Sequence, residues 1–316
     1  MSVFQVDLDP MVYSKREVTQ NTLLAPSVAA DVIKCKSAKL TPFVAQEDFE
    51  RVVKGHYGND EIIYDAVFCK LDLEVYIGGA GTAGDAPPWG TLHTICGYSQ
   101  TLDAGTDARY ALVTGNTDTN TFYVNYLGNR HPIHGCRGSV SRKLDANKVP
   151  YFHYEIHGVF NTPVAAVDIQ PDWAASNWQK PVIVGKTNTT VATLHGIAVG
   201  LVAHEFKVEN SPEMVNVPGY QGVDLGERKV SSSIEIPAPL VTTKDWYSAA
   251  KAGTTGSLII EHGTVAGNIV RFENAKVGVF NPQPSRIHGN KGGLKLDLNV
   301  MPSSEAGNNE ELIIVK

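Results

Sequence analysis

The run Ala66-Val67-Phe68-Cys69-Lys70-Leu71-Asp72-Leu73-Glu74-Val75-Tyr76 alternates towards its end, with Leu71, Leu73 and Val75 on one face and Lys70, Asp72 and Glu74 on the other. Alternation at a period of two marks a half-buried antiparallel strand. The next apolar segment, Pro87 to Gly97, changes period. It has Pro at a helix start, Trp89, Leu92, Ile95 and Cys96 at helical spacing, and Gly97 where a left-handed cap belongs. A helix this short cannot stand alone, so its apolar stripe must dock on a sheet. Strand-like runs follow at Ala108–Val113, Thr121–Leu127, Arg137–Leu144 and Tyr151–Phe160, with turn signals such as Leu127-Gly128-Asn129 between them.

The same order returns further on. Ser232-Ser233-Ile234-Glu235-Ile236 leads to Thr243-Lys244-Asp245-Trp246, read as a helix with Thr243 as N-cap and Asp245 at the positive end of the dipole. Gly253 ends it, and Gly256–Glu261, Ile269–Phe272 and Gly293–Val300 complete the series as strands. A strand, a short helix with Trp near its start and Gly at its end, then a β meander thus occur twice. A β-rich unit in tandem points to a ring or a pseudo-symmetric assembly, since two copies are too few for a solenoid. The expected fold is mainly β: two tandem β-sandwich units, each flanked by one short α-helix, with an extended N-terminal arm. The expected boundaries are 1–60 for the arm, 61–193 for the first unit and 194–316 for the second.

Residues up to about 60 read as an irregular preface broken by Pro10, Pro26 and Pro42, lying on the body or on a neighbouring subunit. The stretches Asn161–Thr193 and Asn210–Asp224 read as loops. With 42% hydrophobic and 19% charged residues, 316 residues suffice for two cores. The 29 Gly and 17 Pro suit many short strands joined by turns. A net charge of −6 gives no general basic footprint for a phosphate backbone. Cys35, Cys69, Cys96 and Cys136 are widely spaced, without a CxxC pair, and read as reduced, partly buried thiols. Met1–Asp7 lacks the features of a secretion signal, and no apolar run reaches the roughly 18 residues of a membrane span. A cytosol-like compartment and no membrane are expected.

Several motifs suggest chemistry. Gly79-Ala80-Gly81-Thr82-Ala83-Gly84 is a literal G-x-G-x-x-G after a strand. In a dinucleotide-binding unit the third glycine lies inside a helix, whereas here Asp85-Ala86-Pro87-Pro88 delays any helix and no βαβ crossover follows. A flexible loop leading into a docked helix is the simpler reading. The histidines His131, His134, His153, His157, His195, His204, His262 and His288 are plentiful, and His153 and His157 share a strand face, but no HExxH frame accompanies them. No G-x-S-x-G elbow occurs. Tyr123, Tyr126, Tyr151, Phe152 and Tyr154, with Arg137, Arg142, Lys143 and Lys148 nearby, could form a single-strand nucleic-acid platform. Ordinary packing on a sheet face explains them as well. No catalytic, cofactor-binding or metal-binding residue is assigned, and no cofactor is expected.

The stretch from Leu73 through Gly79-Ala80-Gly81-Thr82-Ala83-Gly84 and Pro87-Pro88-Trp89 to Cys96-Gly97 resembles major tail tube proteins of long-tailed, siphovirus-like bacteriophages. Further matches run from Thr121-Phe122-Tyr123 through Gly135-Cys136-Arg137-Gly138 to Gly158, and from Pro237-Ala238 through Thr243-Lys244-Asp245 to His262–Asn268. The acidic stretch Pro302–Leu312 fits as well. The order of these motifs, over nearly the whole chain, carries the resemblance. It implies a structural virion protein, not an enzyme, whose sheets join edge to edge into rings that stack into the tail tube through which DNA is delivered. With two units per chain, a trimeric pseudo-six-fold ring is expected over a hexamer. The implied partners are identical rings, the tape measure protein and genomic DNA in the lumen, and tail terminator and distal tail proteins at the ends. Assembly in the host cytoplasm, an acidic or neutral lumen, and contacts between rings through the arm and the 161–193 and 210–224 loops are implied too. A related terminator or baseplate ring protein, or a ligand-binding β-sandwich module, is the alternative.

Overall fold

The structure, a computed structural model, describes residues 9–27, 30–50, 53–115, 118–165, 171–173, 176–287 and 289–316. The first half of the chain contributes β1 (Met11–Arg16), β2 (Val32–Ile33), β3 (Cys35–Glu50), β4 (Glu61–Tyr76), α1 (Gly90–Thr94), β5 (Tyr98–Asp103), β6 (Asp107–Leu112), β7 (Asn120–Tyr126), β8 (Asn129–Asp145), β9 (Tyr151–Phe160) and β10 (Val164–Ala165). The second contributes β11 (Thr189–Leu194), β12 (Ile197–Ala198), β13 (Ala203–Glu209), β14 (Pro212–Val217), β15 (Tyr220–Leu225), β16 (Lys229–Pro237), α2 (Trp246–Lys251), β17 (Thr255–His262), β18 (Val270–Ile287), β19 (Lys291–Val300) and β20 (Leu312–Val315). Every strand pairing with a register is antiparallel, and the protein is mainly β with two short helices.

Eight strands form one continuous layer in the order β3–β4–β9–β8–β13–β16–β19–β18. Alternation decides which face of this layer is dry. Leu71, Leu73 and Val75, then Phe152, Tyr154 and Ile156, then Ile234, Ile236, Leu294, Leu296 and Leu298 are all buried. Each such side chain contributes about 1.5–3 kcal/mol by leaving water. Behind them lies a second layer. β1 and the first half of β8 flank β7, while β11, β17, the first part of β18, β20, β6 and β5 follow one another. β8 and β18 are long enough to serve both layers, leaving the second layer partway along and entering the first.

The pairing orders in the two halves match. One half runs β1–β7–β8–β9–β4–β3, with β2 beside β1. The other runs β11–β17–β18–β19–β16–β13, with β12 beside β11. The hairpin β5–β6 is peculiar to the first half and the hairpin β14–β15 to the second.

Both helices lie within the segments that the helical spacing and end signals marked. The Gly90 N–H donates to the Pro87 carbonyl at 2.8 Å, and Gly97 takes φ +85° just past the end of α1. The Trp89 ring packs 5.0 Å from Phe152 of β9 and 5.2 Å from Tyr110 of β6, so α1 is clamped between the layers. For α2 the N-cap is Asp245 rather than Thr243: its carboxylate accepts from the Ser248 N–H at 2.9 Å.

Other expectations need correction. The preface is not an irregular arm throughout: Val12 and Tyr13 of β1 are buried core, and β3 pairs along β4 from Cys35↔Val75 to Glu50↔Glu61. Residues 1–8, 28–29 and 51–52 of it lie outside the described residues, as do 166–170 and 174–175 of the 161–193 bridge. That bridge ends in β11, and the supposed 210–224 loop is largely the hairpin β14–β15. The acidic stretch ending at Leu312 leads into β20, which joins β6 to β18.

Candidate functional site

The wet face of the eight-stranded layer is built by the residues that alternate with the core. One row across it reads Ser37, Glu74, His153, Ser141, Lys207 and Ser231, each directly opposite the next. The adjacent row reads Tyr76, Tyr151, Lys143, Glu205, Ser233 and Asp297. Opposite charges meet on this face. Lys143 lies 3.7 Å from Glu205, and Lys36 lies 2.7 Å from Glu74. The latter hydrogen bond holds Lys36 above and Glu74 below their ordinary pKa values. Asp72, Asp145, Glu155, Glu209, Glu235 and Asp297 are set against Lys39, Lys70, Lys207, Lys229 and Lys295, so the face is close to charge-balanced. Such a mosaic gives a polyanion few places to rest.

The layer ends at two bare edges. Among the described residues, β3 pairs on one side only, with β4, and β18 beyond Gly278 pairs only with β19. Unpaired strand edges are templates for another chain, which a soluble monomer normally covers.

The sequence motifs are not brought together here. In the glycine loop, the Gly81 N–H donates to the Gly267 carbonyl at 2.9 Å and the Gly79 N–H to Asn268 Oδ1. A Cβ at Gly79 would lie 2.1 Å from the Gly267 oxygen, so backbone fills the place a pyrophosphate would take. The loop ties one half of the chain to the other.

The histidines are dispersed. His204 is buried and burial holds its pKa well below the ordinary value. His195 Nε2 meets the Val277 carbonyl at 2.8 Å, and His262 Nε2 meets that of Val182 at 3.2 Å. His134 is hydrogen-bonded to Asn161, and burial lowers the pKa of His131 and His157. His288 lies outside the described residues. Among those described, no group of three or more His, Cys, Asp or Glu could hold a metal ion. The aromatics split as well: Phe152 and Tyr154 are core, Tyr151 lies on the wet face under Lys36, and Tyr123 carries Arg130 over its ring. The four cysteines are free, and burial pushes the Cys69 thiol up to about 12.

One buried cluster escaped the sequence. Arg142 pairs with Glu311, which also accepts from the Tyr98 hydroxyl, and its guanidinium sits 3.9 Å from the Phe272 and 4.4 Å from the Phe206 ring centroid. The void beside it is about 10 Å³, space for one water at most. An open groove of about 580 Å³ runs past Gly97, Asn210 and Arg228, but Arg228 is already held by Glu310 at 2.9 Å. No helix of the described residues is long and apolar enough to cross a membrane. The candidate site is therefore a surface and two edges rather than a pocket.

A protein-family model described as "Phage tail tube protein" matches residues 43–302, more than four-fifths of the chain. The chain belongs to that family: it is a structural protein of phage tails. A search of curated proteins returned no match. The matched span includes every strand of the eight-stranded layer, β3 from Phe43 on.

Proposed function

We propose that the chain forms closed rings which stack into the tail tube of a long-tailed, siphovirus-like phage and conduct its DNA. The observation that carries this reading is the eight-stranded layer, wet and charge-balanced on one face, packed on the other, and open at both edges. Edge-to-edge joining of such layers closes a barrel with the wet face inside. The two halves act as tandem units, a reading supported by their matching pairing orders and by a short docked helix in each. On that reading the first unit begins with β1 and so includes much of the expected arm.

The ring count follows from strand number. Three copies of eight strands make a barrel of about 24; strands about 4.8 Å apart and tilted about 40° give it a backbone diameter of roughly 50 Å. Inward side chains reduce the bore to roughly 40 Å, wide enough for a nucleic-acid duplex. Six copies would double the circumference. The far end of the β3–β4 hairpin, with Phe43, Ile62, Ile63 and Tyr64 exposed, and the β14–β15 hairpin, with Val217 and Tyr220 exposed, are the proposed contacts between rings. A tape measure protein would occupy the bore before DNA, and terminator and distal tail proteins would meet the end rings.

Negative-stain electron microscopy across a concentration series, with sedimentation analysis, tests this. Hollow rings or tubes with three chains per ring are expected. Six chains per ring would remove the pseudo-symmetry, and a small globular oligomer at every concentration would remove the tube.

A further inference from the structure

Inside the chain the two halves meet where β8 pairs with β13, from Asp145↔Ala203 to Val140↔Val208. In the two matching pairing orders β18 takes the place of β8, and β3 takes the place of β13. The internal seam therefore has a counterpart, β18 against β3, which a single chain leaves open. Both of its edges are the bare ones. Across the internal seam His204 and Phe206 are buried, whereas Pro284 and Arg286 on β18 and Pro42 on β3 are exposed.

We infer that the β18 edge of one copy pairs antiparallel with the β3 edge of the next, in the register Ile287↔Ser37, Arg286↔Ala38, Ser285↔Lys39, Pro284↔Leu40 and Gln283↔Thr41. This rests on the tube reading above and adds the residues of its seam. The anchor is a shared strand ending. β4 finishes Leu73-Glu74-Val75-Tyr76 and β16 finishes Ile234-Glu235-Ile236-Pro237, so Glu74 stands for Glu235 and Tyr76 for Pro237. Glu74 pairs with Ser37 and Glu235 with Ala203, which equates Ser37 with Ala203 and Lys39 with Glu205. Tyr76 leads through Tyr151 to Lys143, and Pro237 leads through Gly293 to Ser285. The internal pair Lys143↔Glu205 then becomes Ser285↔Lys39.

One further observation fits this register. The Ala146 N–H donates to the Val202 carbonyl at 2.8 Å, so even-numbered residues of β8 direct their backbone groups at β13. Their counterparts Pro282, Pro284 and Arg286 then face the bare edge. The missing donors of both prolines lie there, and the β18–β19 ladder loses nothing. One step beyond the stated pairs, Pro42 falls opposite Pro282, and a pair without donors is where a ladder stops. Both strands also shift register at this level, between Thr41 and Val44 and between Phe280 and Gln283. The prolines discourage pairing with arbitrary strands while leaving the few bonds that one partner needs.

Disulfide trapping tests the register. Ser285 and Lys39 form a non-hydrogen-bonded pair, whose Cβ atoms lie about 4.5–5.5 Å apart, near disulfide range; a diagonal neighbour is about 7–8 Å away. The variants are Lys39→Cys/Ser285→Cys and, as the off-register control, Lys39→Cys/Gln283→Cys, each with Cys35→Ser. Rings are first verified by microscopy, and thermal melts check the fold. On oxidation the first variant is expected to run as covalent dimers and closed trimers on a non-reducing gel, and the control as monomer. A mixture of the two single-cysteine proteins should give dimers only. Rings that link through the control pair, or through neither, overturn the register while the tube reading stands. Absence of rings from the unsubstituted protein removes both.

Discussion

At the scale of single residues, the buried pair Arg142–Glu311 pins the last strand to the first layer. Two ions out of water are stable together only while each has the other, and Tyr98 and the two phenyl rings complete the surroundings. Glu311→Gln leaves the guanidinium uncompensated and is expected to cost about 3–5 kcal/mol in urea unfolding. The apolar double variant Arg142→Met/Glu311→Leu should recover most of that loss; if it is no more stable than the single variant, the pair is not the cause. His93 gives the protein an acid sensitivity. Burial among Trp89, Tyr98, Phe152 and Tyr154 lowers its pKa from 6.5 to about 3, because the charged form cannot be solvated there. Between those values the unfolded chain binds the proton and the folded chain does not. Stability is therefore whole above about 6.5 and falls as the pH drops towards 3, by up to about 1.4 kcal/mol per pH unit for this one group. His204 acts in the same direction. Melting temperatures from pH 7 to pH 4 should show the decline, and His93→Gln should be less stable at pH 7 but decline less steeply.

At the scale of elements, the short helices depend on their ends and on what they touch. Asp245→Ala removes the only side-chain cap of α2 and should cost about 1 kcal/mol in chemical denaturation. Gly79→Ala sets a methyl against the Gly267 carbonyl in the loop contact that joins the halves. A loss above about 2 kcal/mol is expected, and a neutral outcome would mean that this contact is not made in solution. These helices were legible because Pro87, Trp89, Leu92 and Gly97 carry both a period and two end signals. Strand β4 was legible for the same reason, through Leu71, Leu73 and Val75. The unread strands lack such marks. β1 is six residues against Pro10; β3 carries Pro42, which reads as a break but sits on a bare edge where no donor is required. β20 is four residues behind Glu310-Glu311, and nothing local reveals that Glu311 has a buried partner 169 positions away. Local pattern thus located what alternation or caps define, and missed what tertiary pairing defines.

At the scale of the whole molecule, the wet face was beyond the sequence for the same cause. Glu74, His153, Ser141 and Lys207 are separated along the chain and become one row only through ladders between β4, β9, β8 and β13. What alternation did supply was the polarity of each strand, and the family motifs supplied the destination. The proposed bore makes a last prediction. If the wet face lines it, its balance of charge keeps DNA moving, and turning some of its carboxylates into lysines should make DNA stay. Glu155→Lys and Glu205→Lys lie on this face, exposed enough to leave the core untouched. Assembled around short duplexes and pelleted, unsubstituted tubes should retain little DNA at about 150 mM salt. The double variant adds about 12 units of positive charge per three-chain ring and should retain DNA, with retention falling linearly in log salt as counterion release requires. Equal reversals off this layer, at the exposed Asp103 of β5 and Glu305 of the loop before β20, should raise binding to the outside of the tube, which nuclease removes. Protection from nuclease in the first variant and not the second would place the wet face inside. Protection in neither would turn the layer outward and leave the rings without a polar bore.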